Sequence, residues 1–193
     1  MKLIFATQNR HKLQEVQAML GDTFELIDLV QLGFFDDIPE TQDTIEGNAA
    51  QKAWYVYSKF GITCFADDTG LEVEALNGAP GVYSARYAGP GRSSHDNVQK
   101  LLSELGGTSN RKARFKTVMA LVLNGNEHLF EGIVDGQIVE AERGTGGFGY
   151  DPVFLPDGYS QTFSEMDSNL KNSISHRGRA MVELTRFLKS IAR

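Results

Sequence analysis

Residues 2–20 read KLIFATQNRHKLQEVQAML, and this stretch decides the fold class. The apolar run from Lys2 to Thr7 predicts a strand, and the polar residues 8–11 predict a turn. Apolar residues then recur at helical spacing as far as Gly21: they are Leu13, Val16, Met19 and Leu20. The segment therefore predicts a strand that leads through a polar turn into an amphipathic helix.

The rest of the chain continues this mixture. We predict strands at 24–29, 62–66, 114–123, 128–134 and 136–142, helices at 48–60, 96–105 and 177–191, and a turn at 78–81. Asn124-Gly125-Asn126 stands between two β-rich runs, which is typical of a hairpin. The mixture predicts an α/β or α+β fold with a mixed sheet. Because no linker, repeat or low-complexity segment interrupts residues 1–193, we predict a single domain.

The composition excludes several classes of protein. The 193 residues are 41% hydrophobic and 23% charged, which differs from a disordered chain, a collagen or a coiled coil. The net charge of −6 argues against a non-specific nucleic-acid binder, and no apolar run approaches the roughly 18 residues of a membrane span. The single cysteine, Cys64, has apolar neighbours and is expected to be buried and unreactive. One cysteine fits a reducing compartment, so we expect a cytoplasmic protein that binds neither nucleic acid nor membrane.

The polar turn after the first strand is the first candidate for chemistry. It contains Thr7, Gln8, Asn9, Arg10, His11 and Lys12. Backbone N–H groups at a helix N-terminus, together with hydroxyl, amide and ammonium side chains, bind anions. The alternative is a polar loop whose side chains only cap the helix.

Carboxylates provide the second candidate. Asp67-Asp68-Thr69-Gly70 follows the strand predicted at 62–66, and ligands often bind at the carboxyl ends of strands in α/β sheets. Clustered carboxylates suit Mg²⁺, which takes oxygen ligands and keeps several waters. The loop acids Asp36, Asp37 and Asp43 are expected to be a solvated face.

The glycine-rich stretch 144–152, GTGGFGYDP, provides the third candidate. It formally contains G-x-G-x-x-G, but a dinucleotide site requires a helix after the last glycine, and Pro152 disfavours one. A glycine loop that presents Phe148, Tyr150 and Asp151 better suits a planar ring. Lys171, His176 and Arg177 follow downstream as donors for carbonyl or phosphate oxygens, or else as a basic helix N-terminus capped by Ser175.

Taken together, these segments resemble the inosine triphosphate pyrophosphatase family, whose members hydrolyse deaminated purine nucleoside triphosphates. Six blocks match in family order: Thr7-Gln8-Asn9 with Lys12; Glu40, Thr44 and Asn48-Ala49 with Lys52; residues 66–71; residues 78–87; residues 146–152; and Ser175-His176-Arg177. Gln8 stands where glycine is common in the family. Gly47, preceded by Glu46, stands where the family has glutamate.

The resemblance implies a fold and a reaction. The fold is an elongated α/β structure of two lobes, with a long mixed sheet and a central nucleotide-binding cleft. The reaction hydrolyses ITP, dITP and XTP to the monophosphate and pyrophosphate, with Mg²⁺ as cofactor, and removes these nucleotides from the pool. The resemblance also implies a homodimer.

Roles for individual residues come from the same resemblance. The implied catalytic residues are Asp68, Asp67 and Lys52, with Asp68 as the proton acceptor, and the implied Mg²⁺ ligands are Glu40 and Asp68. The implied substrate-binding residues are Thr7, Gln8, Asn9, Arg10, His11, Lys12, Thr69, Phe148, Gly149, Tyr150, Asp151, Lys171, His176 and Arg177. One carboxylate serves poorly as both a tight metal ligand and a base, so Asp67 and Asp68 are expected to divide the work, in an order that the sequence does not assign.

The expected base selectivity has a chemical basis. Hypoxanthine and xanthine carry a carbonyl at C6, where adenine carries an amino group, and donors from His176 and Arg177 would meet that carbonyl. A buried donor that adenine leaves unpaired costs about 1–3 kcal/mol. Two alternatives remain, a Maf-type pyrophosphatase for other nucleotides and a purine nucleotide sensor without catalysis. The blocks 148–151 and 175–177 argue against the first, and the retained acids and Lys52 argue against the second.

Overall fold

The computed structural model describes residues 2–20 and 24–191. Its helices are α1 (Arg10–Leu20), α2 (Ile45–Phe60), α3 (Ser94–Glu104), α4 (Ser168–Ile174) and α5 (His176–Ile191). Its strands are β1 (Lys2–Phe5), β2 (Glu25–Ile27), β3 (Cys64–Val73), β4 (Pro80–Gly81), β5 (Lys112–Leu123), β6 (Asn126–Ile138) and β7 (Phe154–Pro156). The predicted combination of helices and strands is confirmed. The predicted helix end at Gly21 lies outside the described residues.

The strands form a mixed sheet, as predicted. Their order is β2-β1-β3-β5-β6-β7, and β4 pairs with β3. β1 runs parallel to β2 and β3, whereas β4 is antiparallel to β3 and β7 is antiparallel to β6. Phe5 pairs with Phe65, and their rings stack with centroids 4.5 Å apart. Because the pairing is parallel, the residues that follow Phe5 lie beside those that follow Phe65.

The described chain divides into two compact units, each built from separate segments. Among the described residues, the first contains 2–20, 24–68, 117–132 and 177–191, and the second contains 69–116 and 133–176. Each unit has its own apolar core. In the first, Phe65 and Met119 pack with residues of α1 and α5 such as Val16 and Leu184. In the second, Leu71, Leu101 and Phe154 are among the fully buried side chains. The single-domain organisation of residues 1–193 stays a prediction.

The largest departure from the predicted strands is the length of β3. It was expected to end at Ala66 and to present Asp67 and Asp68 beyond its end, but it continues to Val73 with both aspartates in its interior. Aspartate is normally depleted in strands. It is tolerated here because both carboxylates are buried against cationic side chains.

Other elements also differ from the predictions. α2 begins at Ile45 rather than at 48, because the Thr44 hydroxyl accepts the N–H of Gly47 and caps the helix. The runs 128–134 and 136–142 were predicted separately, but β6 is continuous and ends at Ile138. α4 was not predicted, although Asp167 caps it by accepting the N–H groups of Asn169 and Leu170.

Two negative predictions can be compared with the described residues. No helix follows the glycine loop before β7, in agreement with the rejection of a dinucleotide site. Among residues 2–20 and 24–191, no helix combines the length and the apolar character that crossing a membrane requires.

Candidate active site

The predicted anion-binding turn is built around the cap of α1. Asn9 stands directly before the helix, and its Oδ1 accepts the N–H groups of His11 at 3.0 Å and Lys12 at 3.3 Å. The N–H of Asn9 donates to Thr7 Oγ1 at 3.2 Å. Thr7 and Asn9 therefore order the turn, and Gln8 ties it to the Asp36 carbonyl at 2.8 Å. Arg10 and His11 are exposed at the start of α1.

Asp67 is the centre of a buried ion network in the first unit. Its Oδ1 accepts from Lys12 Nζ at 3.0 Å, and its Oδ2 accepts from Nε and Nη2 of Arg177, each at 3.3 Å. Arg177 Nη1 donates to Glu15 Oε2 at 2.5 Å. Neither the Asp67 carboxylate nor the Arg177 guanidinium is appreciably exposed. The network therefore joins α1, β3 and the first turn of α5.

Asp68 lies in a different environment from its neighbour. Adjacent residues of a strand point to opposite faces. Lys52 Nζ of α2 lies 3.4 Å from Asp68 Oδ1 and 2.5 Å from Glu40 Oε1, so one ammonium contacts both carboxylates. We call Lys12, Glu15, Glu40, Lys52, Asp67, Asp68 and Arg177 the ion cluster.

The two aspartates have pKa shifts of opposite sign. Burial acts to raise the pKa of Asp67, but the charges of Lys12, Arg177 and Lys52 outweigh it and hold this pKa well below its usual range. Burial raises the pKa of Asp68, and Lys52 and Lys12 only partly oppose it, while Glu40 and Asp67 reinforce it. Asp67 is thus a fixed anion, whereas Asp68 is the better proton acceptor.

The lysines of the ion cluster also differ. Burial lowers the pKa of Lys12; Asp67 opposes this effect, and Lys52 and Arg177 reinforce it. Burial also acts to lower the pKa of Lys52. The negative charges of Asp68, Glu40 and Asp67 outweigh burial, so the pKa of Lys52 is raised. Lys52 therefore keeps its proton next to the two carboxylates.

A second group of predicted residues lies together in the second unit. Asp151 is buried, and its Oδ2 accepts from Lys171 Nζ at 2.7 Å and from the Phe148 N–H at 2.8 Å. Lys171 Nζ also lies 4.9 Å from the centroid of the half-buried Phe148 ring. Gly147 permits this arrangement, since a Cβ there would lie 2.2 Å from Asp151 Oδ2. We call Phe148, Asp151 and Lys171 the Asp151 cluster.

Three predicted binding residues are placed differently from the expectation. Tyr150 was expected to offer a ring for stacking, but it is a core residue whose hydroxyl donates to the Ser84 carbonyl. His176 stacks on Phe115, with ring centroids 4.4 Å apart, and is buried. Arg177 contacts Asp67 and Glu15 rather than standing open to a ligand. Their predicted contacts with a base stay predictions.

Other predicted features are simpler to place. Thr69 lies in β3 directly after Asp68, and Gly149 has a positive φ of 62° in the loop before Tyr150. Cys64 is buried, as predicted, and burial raises the pKa of its thiol to about 12. Its sulfur donates to the Ala53 carbonyl.

Sequence reasoning missed Glu15. It lies on α1, three residues after Lys12, and its partner Arg177 is 162 positions away along the chain. A local signal was available, since one helix carries the lysine and the acid on neighbouring turns. Nothing local indicates that the acid faces a buried arginine.

Comparison with known proteins identifies the family of this chain. The profile of the Ham1 family matches residues 3–187. This chain belongs to the Ham1 family. It is 53% identical to a Flavobacterium johnsoniae protein named dITP/XTP pyrophosphatase, over 95% of this chain and 96% of that one. A Porphyromonas gingivalis protein of the same name is 52% identical, over 97% of both chains.

Solved structures of the Ham1 family have the same fold. The HAM1 protein from Coxiella burnetii superposes with a TM-score of 0.91 at 38% identity, covering 98% of this chain and 99% of that one. The resemblance inferred from the six sequence blocks is confirmed.

Glu40 and Lys52 shift the pKa of Asp68 in opposite directions, and both effects can be measured directly. Glu40→Gln should lower the pKa of Asp68, because it removes a negative charge that raises it, and Lys52→Met should raise that pKa. NMR titration of the Asp68 carboxyl carbon measures both shifts, with Glu183→Gln on α5 as the control. Shifts of equal sign in the two variants would contradict this account.

The Glu15–Arg177 pair should contribute more to stability than an exposed pair. Glu15→Gln should lower the free energy of unfolding by about 1.5–3 kcal/mol, because it removes a charge-assisted hydrogen bond to a buried guanidinium. Glu183→Gln is the matched control, since Glu183 pairs with Arg186 in an exposed position where little loss is expected. Urea unfolding followed by circular dichroism compares the two, and equal losses would show that Glu15 contributes no more than a surface acid.

Proposed function

We propose that this protein hydrolyses deaminated purine nucleoside triphosphates, dITP, ITP and XTP, to the monophosphate and pyrophosphate. The observation that carries the proposal is Asp68, a buried carboxylate with a raised pKa beside the ammonium of Lys52. Full-length relatives named dITP/XTP pyrophosphatase support the substrate class. The activity would remove these nucleotides from the pool.

In this proposal Asp68 accepts the proton of the attacking water. An aspartate of ordinary pKa is a weak base at neutral pH, and burial moves Asp68 in the required direction. The water oxygen attacks the α-phosphorus, the bond to the bridging oxygen breaks, and pyrophosphate leaves. Lys52 keeps the Asp68 carboxylate in place and neutralises charge on the phosphates.

Lys12 is proposed to bind phosphate together with the capped turn at the start of α1. Asp67 holds its ammonium at 3.0 Å, so that this charge has a fixed position. Thr7, Gln8, Asn9, Arg10 and His11 complete the proposed phosphate-binding segment, and Thr69 adds a hydroxyl.

The donor set of the ion cluster fits a divalent cation. The cluster contains four carboxylates and three cationic side chains, so its formal charge alone would repel a triphosphate. In the described parts of the chain, no group of three or more His, Cys, Asp or Glu side chains is placed to hold a metal. Two carboxylates combined with phosphate oxygens and waters are the usual surroundings of Mg²⁺.

We therefore propose that Glu40 is the tight ligand of Mg²⁺ and that Asp68 is a weaker one that stays available as the base. Waters would complete the surroundings of the ion, and phosphate oxygens would replace some of them when the substrate binds. The ion, when bound, neutralises phosphate charge and favours departure of pyrophosphate. Lys52 contacts both carboxylates and so keeps them near each other before the ion arrives.

The Asp151 cluster is proposed to bind the purine base. Phe148 offers a half-buried ring for stacking, and Lys171 places a charged donor beside that ring. A donor of this kind pairs with the C6 carbonyl of hypoxanthine and xanthine but not with the amino group of adenine. Gly149, Tyr150, His176 and Arg177 are retained as proposed base-site residues.

The remaining proposals concern the setting of the enzyme. We propose one catalytic domain over residues 1–193, a homodimer, and action in the cytoplasm without nucleic-acid or membrane partners. Light scattering of the purified protein tests the dimer.

A substrate panel tests the two alternative functions, a Maf-type pyrophosphatase and a nucleotide sensor without turnover. Pyrophosphate release is measured with the triphosphates of inosine, xanthosine, guanosine, adenosine, thymidine and uridine. Preference for a pyrimidine, or no turnover of any triphosphate, would contradict the proposed function.

Asp68→Asn should abolish hydrolysis while nucleotide binding persists. The change keeps the shape of the side chain and removes its basic charge, so turnover of dITP should fall roughly 10²- to 10⁴-fold. Pyrophosphate release measures turnover, and calorimetry with a dITP analogue that resists hydrolysis measures binding. Asp43→Asn, an exposed loop acid, is the control. Turnover within a factor of a few of the wild-type rate would remove Asp68 from the mechanism.

Replacing Lys171 and replacing Lys12 should affect substrate selectivity differently, because only Lys171 is proposed to contact the base. Lys171→Met should reduce kcat/KM for dITP more than for dATP, because a charge-assisted hydrogen bond worth about 1.5–3 kcal/mol is lost only with the C6 carbonyl. Lys12→Met should reduce both alike, because a phosphate contact does not distinguish bases. The expected loss of preference in Lys171→Met is roughly 10- to 150-fold.

The same comparison decides the role of Arg177. A selective loss in Arg177→Lys would support the base contact predicted from the sequence. A uniform loss would show that Arg177 acts through Asp67, with which it pairs in this structure. Equal losses on the two substrates in Lys171→Met would contradict the base site proposed for Lys171.

A further inference from the structure

Glu40 lies in a segment without regular secondary structure. Residues 34–44 contain no helix or strand, so neither a hydrogen-bonded ladder nor a helical turn fixes the position of this carboxylate. Its Oε1 nevertheless lies 2.5 Å from Lys52 Nζ. Some other contact must hold the segment against α2.

Side chains of α2 provide that contact. The N–H of Thr41 donates to Gln51 Oε1 at 2.9 Å, and Gln51 Nε2 donates to Thr41 Oγ1 at 2.8 Å. These two bonds join the residue directly after Glu40 to the residue directly before Lys52. One residue further along, the N–H of Gln42 donates to Asn48 Oδ1 at 2.9 Å. Asn48, Gln51 and Lys52 lie on one face of the helix, because residues three and four apart are neighbours on its surface.

Gly47 permits the close approach of this segment. A Cβ at Gly47 would lie 2.8 Å from Gln42 Cβ, a distance that real Cβ atoms do not reach. The departure of this chain from the family pattern at position 47 thus coincides with a loop that packs directly on the first turn of α2.

We propose that Gln51 is a positioning residue for Glu40: with Thr41 it forms a clamp that holds the Glu40 carboxylate where it contacts Lys52 and binds a divalent cation. This inference rests on the proposed function for the role of the cation, but the clamp itself is described by contacts of this chain alone. Glu40 and Lys52 are each next in sequence to one half of the clamp. A shift of the Thr41 backbone therefore moves the carboxylate directly.

The clamp contributes little to the packing of the protein. Thr41 is exposed and Gln51 is half-buried, so water replaces their hydrogen bonds when either side chain is changed. Metal ligation is far less tolerant of a displaced carboxylate, since Mg²⁺ requires its oxygen ligands at about 2.0–2.1 Å in near-octahedral geometry. Loss of groups that orient a metal ligand typically costs roughly 10- to 100-fold in metal affinity.

The test replaces Gln51 with methionine, which keeps the length of the side chain and removes both hydrogen bonds. Mn²⁺ is the probe because it prefers the same carboxylate and water ligands as Mg²⁺ and is paramagnetic. Electron paramagnetic resonance of free Mn²⁺, with the full chain and no nucleotide, should show a dissociation constant raised roughly tenfold or more in Gln51→Met. The Thr41 amide should also exchange its hydrogen faster, while the unfolding temperature stays close to that of the wild type.

Matched variants separate positioning from general damage. Gln17→Met makes the same chemical change at an exposed site of α1 and should leave Mn²⁺ binding unchanged. Thr41→Val, which removes one of the two bonds, should weaken binding less than Gln51→Met, and Thr41→Ser should restore it. The double variant should be no worse than Gln51→Met, because both changes remove one clamp.

The outcomes also separate this inference from the proposed function. Mn²⁺ binding that is equal in the wild type and Gln51→Met, or absent from both, would overturn the clamp even if the wild type hydrolyses dITP. Unchanged exchange at Thr41 would overturn it as well. Weakened Mn²⁺ binding in Gln51→Met, in a wild type that turns over no triphosphate, would support the clamp and refute the proposed function.

Discussion

The buried charge of Asp67 is the constraint on which the ion cluster depends. A carboxylate without solvent exposure is costly unless cations and hydrogen-bond donors surround it. Lys12 and Arg177 meet this requirement, and they come from α1 and α5, which lie far apart in the sequence. Satisfying one carboxylate therefore fixes the first turns of two helices against β3. Apolar side chains packed in the same place often stabilise a fold as much as a buried ion network does. Stability alone therefore does not explain why these positions carry charges, and the charges favour a functional role for the ion cluster.

The alternation of side chains along β3 turns two adjacent aspartates into different groups. Asp67 faces two cations and is held ionised, whereas Asp68 faces Lys52 and the like charge of Glu40. A base needs a pKa closer to neutrality than an ordinary aspartate has, and a structural anion needs the reverse. The opposite pKa shifts of these two adjacent aspartates thus have a physical origin, in the partners that each face of one strand supplies.

Sequence patterns predicted the elements that depend on local periodicity. The β1–α1 unit, the Asn124-Gly125 turn and the C-terminal helix follow from hydrophobic spacing and turn chemistry, and the structure contains all three. The continuation of β3 through two aspartates was not predictable in this way, because strand preference opposes it and only distant cations permit it. The Glu15–Arg177 pair and the burial of His176 on Phe115 were not predictable for the same reason. Each is decided by a partner that no local window contains.

The ion cluster combines rigid and adjustable parts. Asp67 and Asp68 lie on a strand with a packed core behind it, and Lys52 lies on a capped helix of 16 residues. Glu40 instead lies on an irregular segment held by side-chain hydrogen bonds at an exposed position. Displacing an aspartate requires disruption of the core, whereas displacing Glu40 requires only the exchange of two hydrogen bonds for water. The position of the Glu40 carboxylate is therefore the feature of the ion cluster that surface substitutions alter at the least cost in folding.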